Sequence, residues 1–74
     1  MKKLVVITPG RMTAINLANQ LNRFFGKYTE VKSFCLEDDF DIDISNSIVV
    51  ISSREAIDER IKALMEQGMD YILA

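Results

Sequence analysis

Residues Leu4–Leu21 read LVVITPGRMTAINLANQL, and this stretch decides the fold. A run of apolar, mostly β-branched residues stops at Thr8-Pro9-Gly10-Arg11, and a helical spacing begins at once. The run Lys3–Thr8 is apolar on both faces, the pattern of a strand buried inside a parallel sheet. Thr8 reads as an N-cap with Pro9 at the first helical position, where a missing N–H costs nothing. Thr13 is an alternative start. Ala14, Leu17, Ala18, Leu21, Phe24 and Phe25 recur at three- and four-residue intervals and give the helix one apolar face. Gly26 supplies a C-terminal stop.

The same logic extends along the chain. EVKSFCL (Glu30–Leu36) predicts a second strand, and its polar Glu30, Lys32 and Ser33 place it at a sheet edge. An acidic connection follows, EDDFDIDISN, in which Phe40, Ile42 and Ile44 alternate with Asp41 and Asp43. That alternation predicts a loop with its apolar side packed down. SIVVIS (Ser47–Ser52) is a third strand, apolar on both faces and therefore central. Ser52 with Glu55 reads as a capping box opening a second helix, with Ala56, Ile57, Ile61, Leu64 and Met65 as its buried side. Gly68 ends it, and MDYILA (Met69–Ala74) is a fourth strand.

Two strand–helix–strand units predict a single α/β domain over residues 1–74, an open parallel four-stranded sheet of order 2-1-3-4. Strands one and three are central and one helix lies on each face. The acidic connection then runs back past strand one, a span that about 10 residues at roughly 3.3 Å each can reach. A short antiparallel pairing of strands two and three is the alternative. One helix cannot cover a four-stranded face, so each face is expected to keep apolar surface for a partner. The apolar ending YILA predicts a homodimer or a lobe cut from a longer protein.

Composition bounds the function. The 74 residues are 49% hydrophobic and 27% charged, a globular profile. The net charge of −2 offers no electrostatic footprint for nucleic acid, so direct contact with it is not expected. One cysteine, Cys35, permits no intrachain disulfide and fits a cytoplasmic location. No segment is long and apolar enough to span a bilayer. Lys2 and Lys3 precede an apolar run that meets Pro9-Gly10 too soon for a secretory signal. The chain lacks histidine, the commonest catalytic base.

Candidate chemistry lies where the strand order reverses, beyond the carboxyl ends of strands one and three. One loop brings Thr8, Gly10, Arg11 and Thr13 there, and the other brings Ser52, Ser53 and Arg54. Two helix starts, several hydroxyls and two guanidinium groups suit a small anion. The same residues also read as plain caps and solvated arginines. The loop has neither the G-x-G-x-x-G of dinucleotide folds nor G-x-x-x-x-G-K-[ST], so nucleotide hydrolysis is not expected. Glu37, Asp38, Asp39, Asp41 and Asp43 lack the spacing of an EF-hand and read as a solvated loop. Cys35 reads as a buried inert thiol, and Met12, Met65 and Met69 as core or interface filler. No cofactor and no metal is expected.

Three families bear on these residues. Receiver domains of two-component systems need an acidic pair after strand one and an aspartate after strand three, where Thr8-Pro9 and Ser52-Ser53 stand. GRMT is similar to the loop after strand one in IIB components of sugar phosphotransferase systems. There, however, a reactive cysteine ends the strand, and Ile7 and Thr8 hold that position here. KKLVVITPGRMTAINLANQL, IVVISSREAI and GMDYILA resemble the N-terminal sensory region of bacterial sigma-54-dependent transcriptional activators related to the propionate-catabolism activator. The resemblance spans nearly the whole chain. It implies the first lobe of a non-catalytic, ligand-sensing signal-transduction domain that pairs with a second α/β lobe. The ATPase and helix-turn-helix modules of that family have no residues here. The function read from the sequence is therefore regulation by a small anionic metabolite. An enzyme-class phosphocarrier and a pure protein-interaction module are its alternatives.

Overall fold

The computed structural model describes residues 2–73. Its elements are β1 (Lys3–Thr8), α1 (Arg11–Phe25), β2 (Val31–Cys35), β3 (Ser47–Ile51), α2 (Glu59–Glu66) and β4 (Asp70–Leu73). They form a four-stranded sheet of order β2-β1-β3-β4. All three strand pairs are parallel. Of the fourth predicted strand, Ala74 lies outside the described residues. No antiparallel pairing of β2 with β3 occurs among the described strands, because β1 stands between them.

The central position of β1 and β3 follows from their residues. Val6, Ile7, Val49 and Ile51 have no solvent exposure, as expected of β-branched side chains on strands paired on both edges. Register sets Val5 beside Val49 and Ile7 beside Ile51 on one face, and Leu4 beside Ile48 and Val6 beside Val50 on the other, so each face of the sheet carries a row of matched apolar side chains. α1 packs on the face of Val6 and Thr8, over β1 and β2. The opposite face holds the main core of Val5, Ile7, Val49, Ile51, Ala56 and Ile61.

The two faces are not covered alike, and each keeps some apolar surface exposed. On the α2 side the acidic connection lays Ile42 into the core and packs Phe40 and Ile44 against it. Loop and helix together cover that face over β1 and β3, and leave Tyr71 and Leu73 of β4 exposed. On the other side α1 has no neighbour over β3 and β4. Phe24 and Phe25, which the spacing puts on the buried side of the helix, are exposed, and Phe25 borders the open region beside Ile48, Val50 and Ile72.

The second helix starts later than its sequence suggests. Ser52 and Glu55 form no capping box. Residues Arg54–Ala56 make a 3-10 turn that tucks Ala56 into the core. α2 opens at Asp58, whose carboxylate accepts the N–H of Ile61 at 3.1 Å. The 3-10 turn buries Ala56, and Asp58 supplies the cap that Ser52 does not, so no cap is lost by the later start. The far end of α2 is closed by Gly68 at φ +93°. Gly68 N–H donates to the Met65 carbonyl and Met69 N–H to the Leu64 carbonyl, both at 3.1 Å. These bonds satisfy the last carbonyls and turn Met69 into the core.

Replacing Gly68 by alanine forces a β-carbon into the left-handed region and should cost about 1–2 kcal/mol. Asp58→Ala should cost about 1 kcal/mol through the lost cap. Urea unfolding followed by circular dichroism measures both, and the midpoint should fall while the slope stays constant.

Candidate functional site

The Thr8-Pro9-Gly10 corner is built differently from the sequence reading. Thr8 remains in β1, held extended by the proline that follows it. Its buried hydroxyl donates to the Gly10 carbonyl at 2.6 Å, so it does not cap the helix. The same carbonyl accepts the first helical N–H, from Ala14, at 3.0 Å. Gly10 is therefore the N-cap, and neither Thr8 nor Thr13 takes that place. No side chain bonds to the start of α1, and its first turn carries no acid. The helix thus presents uncapped N–H groups and the positive end of its dipole beyond the edge of the sheet.

Gly10 itself adopts φ −122° and ψ 146°, a conformation open to any residue. A β-carbon there would meet only the Thr13 hydroxyl oxygen, at 4.0 Å. The fold does not require glycine at this position. The space above the helix start is simply left open.

The second loop lies beside the first. Ser52 N–H donates to the Ile7 carbonyl at 3.1 Å, continuing the β1–β3 ladder past the end of β3. Ser53 is the N-cap of the 3-10 turn but makes no side-chain bond there. Its hydroxyl oxygen is buried without a partner. Arg54 is exposed, and no described ion pair includes it. The strand pairing therefore does bring Thr8, Gly10, Arg11, Thr13, Ser52, Ser53 and Arg54 to one end of the sheet. It does not point them at a common centre, since Thr8 and Arg11 already have protein partners.

The partner of Arg11 is Asp38. One guanidinium nitrogen lies 2.8 Å from its Oδ1, and Cys35 N–H donates to its Oδ2 at 2.9 Å. Asp38 is thus an internal anion set beside the open helix start. The Cys35 N–H, and next the Arg11 guanidinium, hold this carboxyl below the usual carboxylate range. Nothing in the sequence singles out Asp38 among five nearby acids. Its position three residues past Cys35, at the end of β2, is the only local signal, because there its carboxylate can turn back onto the strand's last N–H.

Arg60 is the second residue the sequence reading missed. It donates to the carbonyls of Leu36 at 2.7 Å and Asp38 at 2.9 Å, and to the Asp58 carboxylate at 3.0 and 3.1 Å. Its guanidinium carbon sits 4.3 Å from the centre of the Phe40 ring, which stacks on Phe34 at 5.4 Å. Burial pushes the Asp58 carboxyl up, but the Ile61 N–H and Arg60 outweigh it and leave the carboxyl lowered. Arg60 therefore staples the crossing loop to the start of α2, and Arg11 ties it to the start of α1. Among the described residues no group of acids, cysteine or histidine is placed to hold a metal. Cys35 is free and buried. No described helix is long and apolar enough to cross a membrane.

No protein-family model matches this chain, and neither a curated protein nor a solved structure matches it.

Asp38 has a lowered folded pKa, so its contribution to stability is complete above its unfolded value near 4 and is lost as pH falls through the folded value. The difference in Tm between wild type and Asp38→Asn should be present at neutral pH and shrink in acid. A difference that stays constant across the titration would remove the ionised carboxylate as its cause. Arg60→Ala should loosen residues 36–44 and cost about 1 kcal/mol, the net value of a part-exposed charged hydrogen-bond network. Hydrogen exchange at the amides of that loop reads the loosening directly.

Proposed function

We propose that this chain is a regulatory, non-catalytic lobe that senses a small anionic metabolite at the reversal point of its sheet. The observation that carries the reading is the uncapped start of α1, with Arg11 beside it and a second loop of hydroxyls next to it. Backbone N–H groups and a helix dipole favour a carboxylate or phosphate, and Arg adds forked donors. The mechanism is a shift of population between two arrangements of the crossing loop. In one, Asp38 neutralises Arg11. In the other, the ligand anion takes Arg11 and the helix start, and the loop loses one of its two anchors. Thr13, Ser52, Ser53 and Arg54 are the further contacts such an anion would reach, and Gly10 leaves room for its approach.

The resemblance to sensory regions of sigma-54-dependent activators agrees with this reading. In that setting the loop change would be transmitted to a second α/β lobe, or to a homodimer partner, through the bare side of the sheet. The lobe itself would need no cofactor and would not touch nucleic acid, in keeping with its net charge of −2. Its place would be the cytoplasm. A phosphocarrier would need a nucleophile at the end of β1, where Ile7 and Thr8 stand. The exposed Phe24 and Phe25 favour a second reading, a protein-interaction module with no small ligand.

A thermal-shift titration with sulfate, phosphate and citrate tests the first reading. An anion at about 100 times its dissociation constant should stabilise wild type by roughly 2.7 kcal/mol. Arg11→Ala should lose that gain while keeping the unliganded Tm near wild type, since the side chain is exposed. Gly10→Ala should fold normally and bind the anion more weakly. A flat response of wild type to all three anions would leave the interaction module as the better reading.

A further inference from the structure

The two edges of the sheet are treated differently. β2 carries Lys32, which pairs with Glu30 at 3.4 Å, and charges of this kind protect an edge from pairing. β4 has no such guard. Tyr71, Ile72 and Leu73 are 44%, 57% and 41% exposed, and the only charged residue of the strand, Asp70, is neutralised by Lys2. Beside this edge, on the α1 face, an apolar cavity of about 230 Å³ opens between Leu21 and Phe25 of the helix and Ile48, Val50 and Ile72 of the sheet.

An occupant of this surface must offer backbone hydrogen bonds along the edge and apolar side chains on both sides of it. We infer that the occupant is a second copy of this chain, paired β4 to β4 in antiparallel fashion about a two-fold axis. Antiparallel pairing is self-complementary: each outward N–H of one strand meets a carbonyl of the other, and the reverse. With the axis normal to the sheet, both α1 faces lie on the same side. The two Ile72 side chains then meet near the axis, and the two cavities join into one apolar trough bounded by both Phe25 rings.

The size of the patch sets the strength of the contact. Phe25, Tyr71, Ile72 and Leu73 leave roughly 400 Å² of apolar surface exposed per copy, taking about 150–250 Å² as the full area of such side chains. That is half of the roughly 800 Å² per partner of a standard stable interface. The dimer is therefore reversible and concentration-dependent. It sharpens the partner side of the proposed function and is independent of the anion seat, because light scattering without ligand reads it alone.

Sedimentation velocity and light scattering of the 74-residue chain, from about 5 to about 500 µM, bracket the affinity of so small an interface. The weight-average mass should climb toward twice that of the monomer. Ile72→Lys and Tyr71→Lys, which place a charge on the edge from opposite sides of the sheet, should each weaken association at least tenfold. Both positions are exposed, so their circular dichroism should match wild type. Lys32→Ala, on the far edge, should leave association unchanged. A wild-type chain that stays monomeric at the highest concentration overturns the inference. A dimer that persists in both lysine variants also overturns it, by placing the interface elsewhere.

Discussion

The pairing of β1 with β3 is the constraint on which the remaining structure depends. These strands are joined side by side, yet a helix, an edge strand and a crossing loop separate them in sequence. Once Ile7 lies beside Ile51 and Val5 beside Val49, the chain has no freedom about where its helices go. Right-handed connections to a strand on the left and a strand on the right put α1 and α2 on opposite faces. The loop ends of β1 and β3 then fall next to each other, which is why two separate helix starts share one end of the sheet.

The crossing loop answers a problem that this pairing creates. Residues between β2 and β3 must return past β1 with their polar backbone groups satisfied. Arg60 accepts part of that task by donating to the Leu36 and Asp38 carbonyls, and the Phe40, Ile42 and Ile44 side chains supply the apolar underside. The acidic side chains of the same loop remain outside, except Asp38, which turns inward to Arg11 and the Cys35 N–H. One segment thus serves as a lid for the core on one side and as a counter-ion for the helix start on the other.

The strands, their order and the alternating packing of the loop are legible in the sequence, because each rests on runs of apolar residues whose period survives any tertiary context. The caps are not. Thr8 and Ser52 carry the right side chains for caps, but Pro9 keeps Thr8 extended, and a 3-10 turn with Ala56 buried precedes the true start of α2 at Asp58. Asp38 and Arg60 are invisible for a related reason. Their roles depend on where two distant helices begin in space, and the place of Asp38 just past β2 reports only its bond to the Cys35 N–H, not its bond to Arg11. Apolar residues of β4 stay exposed on both faces, and the apolar side of the loop was readable, but which face that loop covers was not.

The order in which this sheet can assemble follows from the central place of β1. Its neighbours come from both halves of the chain, β2 from residues 31–35 and β3 from residues 47–51. The first strand–helix–strand unit alone leaves Val5 and Ile7 with no cover on one face and no strand on one edge. Such a fragment cannot repay the entropy of ordering its own backbone. Folding must wait for contacts that close a loop of some forty residues, such as that between Lys3 and Ser47 in the β1–β3 register. A chain of this topology folds more slowly than a helical bundle of equal length. During synthesis its first half emerges as an unpaired apolar strand that stays exposed until the second half has followed.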